Sequence, residues 1–248
     1  MNSLQSIMSI GTALLLGSFA LISGCDSAGS VFELKSPDIP KVIDASNFVH
    51  NVDHPLWPLL VGMTWRYESN TIDGLEVTEV EVLSDRRIVQ GVSAVVVRDQ
   101  VFLEGELIED TFDWYAQDKS GNVWYVGEDS KEYRNGVVVS TAGSWESGVS
   151  GARAGIYMYA SPKVGDLYYQ EYFEGEAEDV GEVLAINQSV TVPSGSFTEC
   201  VQIRDTTPLQ PDVLEHKYFC PGVGTVLTID LKANNLRDEL VLFATPQP

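Results

Sequence analysis

From about residue 64 onward, apolar and polar residues alternate in short runs. The segments Val80-Glu81-Val82 and Thr111-Phe112-Asp113-Trp114-Tyr115 show this most plainly, and a period of two is what a half-buried strand requires. The pattern predicts strands at 64–68, 75–83, 92–103, 107–116, 123–127, 137–140, 167–173, 185–192, 197–205, 213–219, 224–231 and 239–243. Val, Ile, Tyr, Phe, Trp and Thr fill these runs, and such side chains pack well on a pleated surface. Turn residues fall between them, at Asp73-Gly74, Gly105, Ser120-Gly121-Asn122, Asn135-Gly136, Pro193-Ser194-Gly195 and Pro221-Gly222. Asn135-Gly136 is the strongest hairpin signal, because both residues tolerate positive φ. Helical periodicity is scarce. The expected fold is mainly β: an antiparallel curved sheet, a partly closed barrel or a sandwich.

One stretch breaks the alternation. Residues 10–22 (IGTALLLGSFALI) are mostly apolar, and the first 24 residues hold no Asp, Glu, Lys or Arg. The run suits the core of an export leader and falls short of the roughly 20 residues a bilayer span needs. Ile22-Ser23-Gly24-Cys25 follows and resembles the bacterial lipobox. That resemblance implies cleavage before Cys25, lipid on its thiol, and a protein tethered to a membrane of the bacterial cell envelope, on its periplasmic or extracellular face. Met1 to Ser9 lacks the Lys or Arg with which export leaders begin; a misassigned start or an atypical leader accounts for that. The organisation expected is a leader at 1–24, a flexible tether at 25–52 rich in Ser, Asp, Gly and Pro, and a single β-rich domain at 53–245.

Composition narrows the partners. Hydrophobic residues make up 44% of the chain, enough for a substantial core, and 36 acidic against 15 basic residues give a net charge of −21. A surface of that sign repels phosphate backbones, which argues against nucleic acid, and it repels anionic headgroups, which leaves attachment to the lipid. Beyond Cys25 the chain has Cys200 and Cys220, placed at the ends of two neighbouring predicted strands. Outside the cytosol oxidation is permitted, and a disulfide closing a loop of that size stabilises by roughly 3 kcal/mol. The alternative is a pair of buried free thiols.

Candidate chemistry is sparse. Asp113, Tyr115 and Gln117 share one face of a predicted strand, and Phe112, Trp114 and Ala116 the other. A row of Asp, Tyr and Gln suits a polar cleft for a sugar, peptide or cation; it equally suits a solvated sheet face. The run from Gln170 to Asp179 is acidic but lacks the spacing of a calcium loop. His50, His54 and His216 are the histidines, and a lone histidine is more often structural than a general base. No H-E-x-x-H, G-x-S-x-G or phosphate-binding glycine loop occurs. No metal ligand set, catalytic residue or cofactor is therefore assigned.

Asp113-Trp114-Tyr115-Ala116-Gln117-Asp118, Gly121-Asn122-Val123-Trp124-Tyr125, Glu215-His216-Lys217-Tyr218 and Pro221-Gly222-Val223-Gly224 resemble motifs of a group of uncharacterised bacterial secreted proteins and lipoproteins. The resemblance spans most of residues 55–231 and implies a compact β-rich envelope domain. It makes Asp113, Tyr115, Gln117, Glu171 and His216 the candidate residues of a polar cleft. The leading expectation is a non-enzymatic envelope lipoprotein that binds an unidentified ligand or envelope protein through a sheet face. The alternatives are a hydrolase of carbohydrate or another polymer, using Asp113 or Glu171 with His216, and a carrier of lipid or another apolar ligand.

Overall fold

The computed structural model describes residue 39 and residues 42–246. Seventeen strands follow in chain order: β1 Val52–His54, β2 Trp57–Leu59, β3 Thr64–Thr71, β4 Gly74–Val89, β5 Val92–Leu103, β6 Glu106–Gln117, β7 Val123–Arg134, β8 Val137–Ser140 and β9 Trp145–Glu146. Then come β10 Arg153–Met158, β11 Leu167–Tyr169, β12 Glu171–Tyr172, β13 Val180–Val192, β14 Gly195–Thr206, β15 Leu214–Cys220, β16 Gly224–Asp230 and β17 Leu236–Ala244. The mainly antiparallel β class expected from the alternation is what the chain adopts.

Among the described residues, β1 and β2 form a small hairpin and the other fifteen strands form one sheet. Its order is β11-β13-β14-β15-β16-β17-β3-β4-β5-β6-β7-β10-β12, with β8 and β9 attached to β7. The ladder does not close into a barrel. Its two ends nevertheless lie on one piece of chain, because only Gln170 separates β11 from β12. The sheet thus curls until its edges meet along a short strap at residues 167–172. Gly155 permits the meeting: a Cβ there would stand 2.4 Å from the backbone of Gln170 and Tyr169.

Strands in a meander alternate in direction, so the connections sort to two ends. The turns at 72–73, 104–105, 135–136 and 231–235 and the link at 207–213 gather at one end, the tip end. The turns at 90–91, 118–122 and 221–223 gather at the other. Asn135 and Gly136 both have positive φ, 52° and 72°, the geometry that a two-residue hairpin needs to match strand twist.

The inner face at the second end is aromatic. Trp57, carried in by the β1–β2 hairpin, is 2% exposed and meets the rings of Trp65, Tyr115, Tyr157 and Phe219 at centroid distances of 4.9–6.4 Å. Such ring pairs add about 1 kcal/mol each beyond area burial. Two polar edges of this region are met by backbone: Trp65 Nε1 donates to the Val223 carbonyl at 2.8 Å, and Tyr67 Oη to that of Thr225 at 2.9 Å.

A second apolar cluster lies on the outer face of β5, β6 and β7, where Ala94, Val96, Trp114, Ala116 and Val126 are covered by Ile43, Ala45 and Phe48. Residues 42–51, expected to belong to the free tether, are therefore fastened to the domain. Ile43 N donates to Gln90 Oε1, Val49 N to the Gln117 carbonyl, Lys119 N to the Asn47 carbonyl, and Arg86 Nη1 to the His50 carbonyl. All four contacts are at the end opposite the tips, which we call the arm end. The leader and Cys25 lie outside the described residues.

Candidate functional site

Following each inward row of side chains toward the tip end, the aromatics give way to carboxylates. On β6 the inward row runs Tyr115, Asp113, Thr111, Glu109; on β4 it runs Val82, Val80, Thr78, Glu76; on β15 it runs Phe219, Lys217, Glu215. Each row is a plain alternation whose last members have changed from apolar to acidic. Asp99, Asp113 and Glu128 are 0–1% exposed, and Glu76, Glu109, Asp205 and Glu215 are buried beside them. The interior toward the tip end is thus lined with carboxylates, and the interior toward the arm end is an aromatic plug.

Two clusters organise the acidic end. In the first, Asp113 and Glu128 face each other in register on β6 and β7. Tyr125 Oη donates to Asp113 Oδ1 at 2.6 Å and also lies beside the Glu128 carboxyl, where it favours the charged form, while the second Asp113 oxygen accepts no hydrogen bond. Burial pushes the Glu128 carboxyl well above its ordinary range, with Glu171 and Asp113 adding to the rise. Burial likewise raises Asp113, against the hydrogen bond from Tyr125 and with help from Glu109. Charge in such a place must be matched or protonated.

In the second cluster, Lys217 Nζ lies 2.7 Å from Asp205 and 3.4 Å from Glu215. Burial alone would lower this ammonium, but Asp205 and Glu215 hold it well above its ordinary value. Burial moves Glu215 up to about 7, opposed by Lys217 and reinforced by Asp205 and Asp230. Gln170 of the strap donates to Asp205 Oδ1 at 3.3 Å.

The residues nominated for a cleft do not share one site. Asp113 and Glu171 are brought together through Glu128, buried at 0% and 1% exposure. Tyr115 lies next to them in the aromatic plug, stacked on Tyr125 at 5.0 Å. Gln117 is at the arm end, where its side chain bonds Asp53 through both Nε2 and Oε1 and so ties β1 to β6. His216 is on the outer face of β15, accepting from Gln202 Nε2 at Nδ1 at 2.9 Å. Asp113 and Glu171 therefore have no access to His216, and the hydrolase arrangement is not assembled. An apolar carrier site finds no support either, since rings fill the interior at the arm end and acids line it at the tip end.

Cys200 and Cys220 form a disulfide with a Cα–Cα distance of 4.1 Å, joining β14 to β15 at the arm end, as expected. Asp118 of the DKSGNVW segment accepts from Ser120 N, Asn122 N, Asn122 Nδ2 and Trp124 Nε1 at 2.8–3.0 Å. That carboxylate is the hub of a turn and is used up by it. His54 is likewise committed: its Nδ1 accepts from Leu56 N, so its Nε2 donates to the Tyr159 carbonyl. Among the described residues, no three His, Cys, Asp or Glu side chains are arranged to hold a metal ion.

An accessible site occurs on the outer surface of the tip end. A groove of about 610 Å³ runs between the 71–74 and 232–236 turns, lined by Glu68, Asn70, Ile72, Asn235, Arg237 and Glu239 among others. Ile72 is fully exposed. Glu68 and Glu239 stand opposite each other on β3 and β17, each tied to an arginine of its own strand, Arg66 at 3.1 Å and Arg237 at 2.8 Å. The groove offers an apolar contact, side-chain amides and charges of both signs, with no aromatic platform. Nothing in the alternation marks it, since it is made by two turns distant in sequence.

Fold and site together define the class: an antiparallel β domain built on one large sheet, acidic inside at one end. No family model matches the chain, and no curated protein matches it. Among solved structures it is similar to a lipoprotein candidate from Parabacteroides distasonis, at 14% identity and a TM-score of 0.43, over 76% of this chain and 98% of that one.

Proposed function

We propose that the chain is a non-enzymatic lipoprotein of the bacterial cell envelope, held by acylated Cys25 at one end and binding a segment of another envelope protein in the groove at the other. The observation that carries this reading is polar organisation along the strands. The chain reaches the domain at the arm end, through contacts at Gln90, Gln117 and Lys119, whereas the groove and the exposed Ile72 are at the tip end. A leash attached at the first end leaves the second facing away from the membrane. A disulfide between Cys200 and Cys220 suits an oxidising compartment.

The groove favours a peptide over a sugar. Its lining lacks the aromatic surface on which sugar rings stack, while a fully exposed isoleucine beside paired charges is what a protein segment uses. The experiment places a photo-crosslinking residue at position 72 and, as a control, at the exposed Ile88 of the arm end. The reading predicts an adduct from position 72 that disappears in a Glu68→Lys/Glu239→Lys variant. Equal adducts from both positions, or an adduct indifferent to the charge reversals, would refute it.

A further inference from the structure

We propose that the groove takes its occupant as an added β-strand: an extended segment of the partner protein whose backbone pairs with the open edges of β3 and β17, where those two strands part. The inference rests on the groove being the docking site and adds how that site reads its partner.

β3 and β17 are neighbours that separate before they end. Their register stops at Glu239↔Glu68, yet β3 continues to Thr71 and β17 already runs from Leu236. Continued in step, the ladder would next set Arg237 against Asn70, and that pair is not made. Each strand stays fastened on its other side over the same stretch. Ser69, Asn70 and Thr71 pair with Glu76, Leu75 and Gly74 of β4, and Leu236 to Glu239 pair with Asp230 to Leu227 of β16. The sheet therefore forks toward the tip end, and the groove occupies the fork. Asn70 and Thr71 line one wall, Leu236 and Arg237 the other.

Alternation along the antiparallel ladder decides which backbone groups face the fork. The two-residue turn at 72–73 makes Thr71 and Gly74 a hydrogen-bonded pair. No register shift follows it, so Ser69 also turns its N–H and C=O to β4, and Asn70 turns its own the other way. Leu75 has the matching parity: its carbonyl accepts from Glu104 N, on the β5 side. Glu68 shares the parity of Asn70 and meets Glu239. Arg237, two residues from Glu239, therefore faces the fork from the opposite wall. Main-chain donors and acceptors along an open edge are what strand addition uses for affinity, and side-chain contacts supply the selection. Here the apolar contact is Ile72, fully exposed beside the fork.

Two measurements test this. Hydrogen exchange on the full chain should find the amides of Asn70 and Arg237 about tenfold or more less protected than those of Ser69 and Glu239. Equal protection would mean closed edges and overturns the proposal. The second measurement uses the photo-crosslinking residue at position 72 in native cells. Asn70→Pro removes the donor from one wall at a position that gives β4 no hydrogen bond, whereas Asn70→Ala keeps the donor and removes the side chain. Strand addition predicts an adduct that falls about tenfold or more in Asn70→Pro and persists in Asn70→Ala; Arg237→Pro tests the opposite wall if Asn70→Pro does not fold. An adduct of undiminished yield in the proline variants overturns strand addition and leaves the docking role standing. Equal loss in Asn70→Ala assigns the contact to the side chain and overturns it as well. An adduct between two copies of the chain, or with a carbohydrate, overturns the occupant, and no adduct in the wild type removes the docking role itself.

Discussion

Replacing Glu215 by Gln should make the protein's stability less sensitive to alkali. Glu215 is 3% exposed, and burial lifts its carboxyl from an ordinary value of 4.5 to about 7 in the fold. A group whose folded value is raised binds its proton more tightly in the native state. Its favourable contribution is complete below pH 4.5 and is lost as pH climbs through 7. A rise of that size corresponds to about 3 kcal/mol, and for a domain of this length about 2–4 °C of Tm accompanies each kcal/mol. Between pH 4.5 and 7.5 the wild type should therefore fall by about 6–12 °C relative to Glu215→Gln. Lys217 keeps Asp205 at 2.7 Å in the variant, so the amide does not strand the ammonium. His54, which burial holds below its ordinary value, has the opposite sign: its contribution is present above pH 6.5 and is lost as pH falls. It acts alike in both proteins and cancels in the difference. Thermal melts followed by near-UV circular dichroism at half-unit pH steps supply both curves. Parallel curves would refute the reasoning.

Cys200→Ser/Cys220→Ser should lower unfolding free energy by about 3 kcal/mol, from the loop its twenty-residue separation closes, read as a lower denaturant midpoint, and unreduced wild type should titrate no thiol from these two residues. Trp57→Ala removes the centre of the aromatic plug and should cost about 3–5 kcal/mol; an unchanged midpoint in urea would show that the β1–β2 hairpin is a surface ornament. Gly155→Ala puts a methyl group where the strap backbone passes at 2.4 Å, so limited proteolysis should cut near residue 170 faster than in the wild type, with cleavage elsewhere unchanged.

Most of the strand map was legible, because alternation is visible wherever one face is wet and the other dry. Residues 92–103 and 137–140 were delimited as observed. The misses have two causes. β4 runs on through Ser84-Asp85-Arg86-Arg87, and β7 through Glu128 to Arg134; both tails are charged, and charge reads as loop when the partner strand is not known. β10, Arg153-Ala154-Gly155-Ile156-Tyr157-Met158, carries a glycine that weakens a strand signal, and only the strap passing over it explains the glycine. The parity of Asp113, Tyr115 and Gln117 was read correctly, but their direction was not available. With Trp114 and Ala116 on the other face, either side can be the core, and here both are, because residues 43–48 cover the outside. The acidic interior had a local signature, carboxylates at inward positions of β4, β6 and β15, but acids at strand ends ordinarily signify solvent. The groove, assembled from turns more than 150 residues apart, had none.

Mass spectrometry of the amino-terminal peptide from protein isolated from its native membrane tests the account where it is most exposed. A leash of acylated Cys25 at the arm end predicts a mature chain that begins at Cys25 and carries the added mass of a diacylglyceryl group. A peptide retaining the leader, or one beginning elsewhere without fatty acid, would contradict it, and the tip end would no longer have a reason to face away from a membrane.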